Sequence, residues 1–338
     1  MRADSLAFAR FRTEIVARWG DYRGTTKKDW VEYSDDFFTR TVVDFEEGTA
    51  TIDVLVPTSV DSAAVIGRLR TAVATLILNP GKTMDYKVLD QSPRPLGQRA
   101  ILADQLAGPD GELVTSETAE TFARNIVSPE AVTSTTVISG DGIARIKVSV
   151  TTSLVPDHLR VRAKKYIETV RRHADRYGLD TRLILALIHT ESYFNPKARS
   201  PVPAFGLMQL VPSSGGRDAY EFVTGKAADP LPNYLYNPDL NIELGCAYLS
   251  VIKDRYLAGI ENLQSRLYCT ICAYNTGAGN VSRAFSGTNR VKLAIPKINT
   301  MSPDQVLSVL KADLPYKETR RYIENVLNRV KYYNEWKN

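Results

Sequence analysis

The stretch His189-Thr190-Glu191-Ser192-Tyr193-Phe194 closes an apolar run, Leu183 to Ile188, with a carboxylate. An unbroken apolar run of that kind reads as a helix buried on most of its faces. A buried charge without a partner is costly, so a glutamate at this position needs a reason. At the C-terminal end of a helix the backbone carbonyls present partial negative charge. Apolar surroundings and that dipole act together against the ionised form. A carboxyl group kept protonated near neutral pH can donate a proton to a leaving oxygen, which is the work of a general acid. Position alone favours a glutamate fraying into solvent, and only further residues shift the reading toward the acid.

The elements that must hold Glu191 are legible around it. Asp180 is placed to cap the helix that carries Leu183 to His189, and Asn195-Pro196 to stop it. From His158 to the C-terminus the pattern is helical, broken by Gly, Pro and Asn. Pro238-Asp239 opens a helix to about Tyr256, Ser302-Pro303-Asp304 joins an N-cap to a first-turn proline, and Lys317 to about Tyr333 forms the last long helix. The first half has a different texture. Asp36 to Phe45 and Thr49 to Val56 read as strands around a Glu46-Glu47-Gly48 turn. Asp61 to Leu78 reads as a helix that ends before Asn79-Pro80-Gly81. Gly108-Pro109-Asp110-Gly111 reads as the turn of a second hairpin, and Ile143 to Val155 as a strand. The predicted architecture is an α+β domain over residues 1–156 followed by an all-α domain over 157–338.

With 43% hydrophobic and 24% charged residues in a chain of 338, there is ample material for two globular domains. No run of about 18 apolar residues exists, which argues against a spanning helix. The three cysteines, Cys246, Cys269 and Cys272, have no disulfide spacing and read as small core residues. Charge is divided unevenly: residues 1–156 hold 17 Lys+Arg against 21 Asp+Glu, and residues 157–338 hold 26 against 17. The basic half points to an anionic partner. Tyrosine is skewed in the same direction, with 14 of 17 after Pro156, in keeping with a sugar-binding groove or with tethered helix interfaces. The Arg160, Arg162, Lys164, Lys165 cluster and the Arg171-Arg172 pair read as solvated helix faces, so no nucleic-acid partner is expected.

Three further segments bear on Glu191: Ala204-Phe205-Gly206-Leu207-Met208-Gln209-Leu210, Cys272-Ala273-Tyr274-Asn275-Thr276-Gly277, and Arg320-Arg321-Tyr322-Ile323. Together with Glu191-Ser192 they resemble, in order and spacing, the signature segments of the lytic transglycosylases with the soluble-lytic-transglycosylase, or goose-lysozyme-like, fold. Trp30 to Tyr33, the turn at Phe45-Glu46-Glu47-Gly48, Leu154 to Leu159, and Ile298-Asn299-Thr300-Met301 are similar to a membrane-bound branch of the same family. The resemblance therefore covers nearly the whole chain.

That resemblance implies an α+β domain ahead of an all-α lysozyme-like domain. It also implies peptidoglycan glycan strands as substrate, with cleavage between N-acetylmuramic acid and N-acetylglucosamine. Glu191 would be the sole catalytic acid and then base, closing a 1,6-anhydro ring on the muramic acid. Ser192 would hydrogen-bond near the bond being cleaved, Gln209 pair with an N-acetyl group, and Met208 offer a soft apolar wall. Tyr274 and Tyr322 would orient the carboxyl group or the sugar, and Asn275 would tie backbone together beside the site. No metal or organic cofactor is implied. The N-terminal domain would extend the glycan groove or meet cell-wall or envelope protein partners.

Competing readings are specific. A hydrolase on the same fold would give a reducing muramic acid instead of the anhydro sugar. More remotely, His189-Thr190-Glu191 with Cys269-Thr270-Ile271-Cys272 spells most of the zinc-deaminase pattern. Residue 268 is Tyr where that pattern has Pro, and the two pieces stand 80 residues apart. The opening residues read as an amphipathic helix without the features of a leader. The resemblance nevertheless implies a periplasmic protein, in many members lipid-anchored to the outer membrane, so a leader is expected to have been lost from the native form.

Overall fold

A computed structural model describes residues 2–79 and 100–336, without the side chains of residues 2–7. Pro80 and Gly81, expected at the end of a helix, lie outside the described residues. The chain divides into two compact units, Met1–Arg162 with Asn195–Arg199, and Ala163–Phe194 with Ser200–Asn338.

The first unit is built on a fully antiparallel sheet in the order β1-β2-β3-β5-β4, with strands β1 (Asp29–Tyr33), β2 (Thr39–Asp44), β3 (Thr49–Pro57), β4 (Thr133–Ile138) and β5 (Ala144–Ser153). The strand expected from Asp36 starts only at Thr39, because residues before it form a turn. There Ser34 and Asp36 bond to each other, Asp36 accepts from the Phe38 N–H, and Phe37 takes φ 60°. Helix α1 (Arg2–Trp19) brings Ile15 into an apolar cluster with Val31, Tyr33 and Val42. Helix α2 (Ser62–Leu78), capped by Asp61 accepting from the Ala64 N–H, buries Val65, Leu69, Val73, Leu76 and Ile77, a single helical stripe, and packs on β3 and on α3 (Ala119–Ile126). Gly108 to Gly111 forms the expected tight turn, bridged by Ala107 and Leu113 without extended strands.

Three neighbouring strands share one buried polar cluster. Arg40 on β2 donates from Nε and Nη2 to Asp53 Oδ2 on β3 at 3.1 and 2.9 Å, and Ser149 on β5 donates to Asp53 Oδ1 at 2.6 Å. Removing one partner of a buried ion pair strands the other charge at low dielectric. Asp53→Ala is therefore expected to destabilise the unit by about 3 kcal/mol, read as a lower urea midpoint, with Arg40→Met/Asp53→Leu recovering much of the loss. The Arg162 side chain departs from its expected place on a solvated face. It is 3% exposed, with its guanidinium 3.3 Å above the Phe45 ring, because a planar, weakly hydrated cation stacks favourably on an aromatic face.

The second unit is helical: α4 (His158–Arg176, its first turn in the other unit), α5 (Thr181–Ser192), α6 (Gly215–Thr224), α7 (Pro232–Tyr236), α8 (Pro238–Val251), α9 (Leu263–Thr276), α10 (Ala278–Ser286), α11 (Val291–Asn299), α12 (Pro303–Asp313) and α13 (Lys317–Tyr332). The helix expected to reach Tyr256 changes to a π-helical turn over Ile252–Tyr256. Helix α5 lies in the core: Leu183 to His189 are all buried, so a helix apolar on nearly every face is packed on nearly every face. Asp180 caps it by accepting from the Arg182 N–H at 2.8 Å. Its other end differs from expectation. The helix stops at Ser192, before Asn195-Pro196, where Tyr193 (φ 50°) and Phe194 (φ 59°) turn the chain through left-handed conformations. That strain is offset by burial: Phe194 stacks on Tyr166 and meets Tyr333 edge-on.

Candidate active site

Glu191 is the penultimate residue of α5 and is 4% exposed. The Tyr322 phenol on α13 donates to Glu191 Oε1 at 2.7 Å across 131 residues of chain. Tyr274 on α9 is also buried and near enough for the charge of Glu191 to act on it. Burial first, and the neighbouring carboxylate second, push both phenols well above their ordinary range. Both therefore stay neutral and serve as hydrogen-bond donors at any working pH.

The Ala204 to Leu210 segment forms a tight hairpin, not a helix. Phe205 and Leu210 exchange backbone hydrogen bonds at 3.0 and 3.2 Å, and Gly206 (φ 75°) and Gln209 (φ 48°) make the reversal. Tyr274 donates to Met208 O at 2.7 Å, and Ser192 Oγ donates to Leu207 O at 2.7 Å. The hairpin is thus tied to the residue that follows Glu191 and to the Tyr274 phenol. Gln209 is buried, with Nε2 donating to Gly206 O at 2.9 Å. The Met208 side chain is fully buried in the core, and its carbonyl is what the Tyr274 phenol bonds. Ser192 is likewise fully buried, its hydroxyl engaged with Leu207 O and with Ile188 O at 3.1 Å. Asn275 accepts from Thr319 Oγ1 at 2.7 Å, which links the end of α9 to the start of α13.

Helix α13 grips the end of α5 along one stripe. Besides Tyr322, Arg329 donates to the Tyr193 phenol at 3.2 Å, and Tyr333, just past the helix, lies 2.9 Å from His189 Nδ1. Tyr322, Arg329 and Tyr333 are spaced at i, i+7 and i+11, which places them on one helix face. Thr319, Arg329 and Tyr333 escape sequence reasoning, since nothing local marks a tyrosine or arginine on an amphipathic helix as an anchor for a distant one. The zinc pattern does not assemble: the His189 ring is engaged by Tyr333, and Cys269 and Cys272 lie buried in α9. Among the described residues no group of three or more His, Cys, Asp or Glu side chains comes together that could hold a metal ion. His158 and His173 are also buried.

Residues 3–165 match the family described as the membrane-bound lytic murein transglycosylase C N-terminal domain, and residues 168–294 match the transglycosylase SLT domain. The membrane-bound lytic murein transglycosylase C of Pectobacterium atrosepticum is 36% identical over 98% of this chain and 90% of its own length. The chain belongs to the membrane-bound lytic murein transglycosylase C family. It is accordingly an enzyme of the lytic transglycosylase class. The relative of the same name from Sodalis glossinidius is 39% identical over 97% of this chain and 89% of its own. The 70 kDa soluble lytic transglycosylase from Escherichia coli aligns over 51% of this chain and 24% of that chain at 25% identity, with a TM-score of 0.39. Glu191-Ser192, Ala273-Tyr274-Asn275 and the Gln209 hairpin lie inside the SLT match, whereas Tyr322 lies beyond it. Among the described residues no helix of the transglycosylase is long and apolar enough to cross a membrane.

Proposed function

We propose that this transglycosylase cleaves the β-1,4 bond between N-acetylmuramic acid and N-acetylglucosamine in peptidoglycan strands without consuming water, with Glu191 acting first as acid and then as base. The observation that carries the reading is the buried Glu191 carboxyl group at a helix end, held by the Tyr322 phenol. The Glu191 carboxyl group gives a proton to the glycosidic oxygen, and the bond from muramic acid C1 to that oxygen breaks. The carboxylate then takes the proton from the C6 hydroxyl of the same sugar as O6 bonds to C1. Atoms balance without an added reactant, and the ring closure is intramolecular, where well-aligned groups reach effective molarities of about 10⁵ M or more.

A single carboxylate suffices for this route, whereas hydrolysis usually employs two. Two other acids of the helical unit, Asp180 and Asp218, have different work. Asp180 caps α5 at its opposite end, about 16 Å from Glu191 along the helix, too far to act on the same bond. Asp218 accepts from the Tyr256 phenol at 2.8 Å. Residues 157–338 would carry the catalysis. We assign Gln209 and Tyr274 to the sugar and to carboxyl orientation, Ser192 and the Met208 carbonyl to holding the hairpin, and Asn275 to the joint between α9 and α13. The acidic N-terminal domain, residues 1–156, would extend the glycan groove or meet envelope protein partners. A periplasmic location, with a lipid anchor in the outer membrane, belongs to the same proposal, since that is where peptidoglycan is reached.

Product analysis is the test. Digestion of purified sacculi is expected to release fragments ending in 1,6-anhydro-muramic acid, one water lighter in mass spectra than their hydrolytic counterparts. Fragments ending only in reducing muramic acid would instead make the enzyme a hydrolase on the same fold.

A further inference from the structure

Asn241, the fourth residue of α8, is fully buried in a helix that is otherwise mostly apolar there. Its side-chain amide makes three hydrogen bonds to backbone: Oδ1 accepts from the Met208 N–H at 2.8 Å, and Nδ2 donates to Phe205 O at 3.0 Å and to Leu235 O at 2.8 Å. Two of these partners belong to the hairpin that carries Gln209. An amide supplies one acceptor and two donors from a single plane, and no other side chain of that size does so. Four residues on, and on the same helix face, stands Gly245. A Cβ at Gly245 would overlap Met208 Sδ, and a Cβ at Gly206 would overlap Asn241 Nδ2 and Leu235 O. Hairpin and helix fit only because each offers a glycine where the other projects a side chain. Glycine inside a helix costs about 1 kcal/mol relative to alanine, so its presence in α8 is explained by what it admits.

We propose that Asn241 and Gly245 are positioning residues: they form a seat on α8 that fixes the Phe205–Leu210 hairpin and, through the Met208 carbonyl, the Tyr274 phenol beside Glu191. This rests on the reading that Gln209 and Tyr274 serve the reaction. The seat acts through backbone alone. It satisfies the buried Met208 N–H and gives the Phe205 carbonyl a second donor, while the bond to the Leu235 carbonyl holds the amide in place from α7, and displacements of about 1 Å at a reacting centre cost as much as 100-fold in rate.

The test uses the full chain and counts all new glycan ends, anhydro and reducing alike. Unmodified enzyme that made only reducing ends would thus overturn the ring-closing route without touching this inference. Gly245→Ala is expected to lower kcat roughly 10- to 100-fold, and Met208→Ala added to it is expected to restore kcat to within about threefold of the Met208→Ala protein, because the Sδ and Cε that the added methyl would overlap are then gone and only the Met208 Cβ contact at 3.0 Å is left to relax. Asn241→Asp keeps the shape and can still accept from Met208 N–H. When neutral it donates to one carbonyl; when ionised it faces two carbonyls with no donor. Burial favours the neutral form, so this variant is expected to be most active at the acid end of the range and to gain an alkaline decline in kcat that the native enzyme lacks. A merely structural role would lower the melting temperature of the variants without adding that limb or allowing the rescue. Native kcat in Gly245→Ala, no relief by Met208→Ala, or a native pH profile in Asn241→Asp would each overturn the proposal.

Discussion

Glu191→Gln is expected to lower glycan cleavage by about 10⁴-fold, the upper end of what a positioned acid or base contributes, because one group performs both proton transfers. The substitution is close to isosteric, and the amide oxygen can still accept from the Tyr322 phenol now 2.7 Å from Oε1. Packing at the end of α5 should therefore survive, and the melting temperature should change by no more than a few degrees. The amide has no proton to give to a glycosidic oxygen and no basic lone pair to receive one from a C6 hydroxyl. The measurement is the initial rate of muropeptide release from sacculi, normalised to folded protein. A rate within tenfold of native would show that the proton comes from elsewhere, and the reaction scheme would have to be abandoned.

The second large effect is expected from Tyr322→Phe. Hydrogen bonds to charged groups are worth about 1.5–3 kcal/mol, so loss of this one is expected to lower kcat roughly 10- to 100-fold. The phenol fixes which way the carboxyl group faces. It also stabilises the carboxylate that exists between the two proton transfers, when a charge sits 4% exposed at the negative end of a helix. The same helix supplies its own control. Tyr333→Phe removes the contact to His189 Nδ1 on the same stripe of α13 without touching the carboxyl group, and it is expected to lower stability by about 1 kcal/mol while leaving kcat within about threefold. Equal losses of kcat in the two variants would mean that α13 acts only as a brace.

Much of this site was legible because its signals are local. The Glu191 helix announced itself by its apolar run, and Asp180 caps it as its side chain predicts. Ser302 closes a capping box with Gln305 at the start of α12. The antiparallel pairing around Glu46-Glu47-Gly48 and the α2 stripe followed from periods of two and 3.6 residues. Strands β1 and β4 and helix α3 were not read. Each is short, and β4 is almost wholly exposed, so it has no buried face to print an alternation into the sequence. Arg162 was misread for a related reason: a cation among cations on an amphipathic helix gives no sign that one of them will lie against Phe45.

The sequence by itself determined the family, the two-part layout of sheet then helices, and the one carboxyl group set at the end of a buried helix. Such features depend on neighbours a few residues apart, which capping, periodicity and turn chemistry record directly. Only the tertiary structure decided that Tyr322 reaches Glu191 across 131 residues, that Met208 and Ser192 are buried and tied into the hairpin, and that Asn241 and Gly245 shape its seat. Those contacts join segments brought together by core packing, and a side chain carries no local mark of the distant backbone group it will meet.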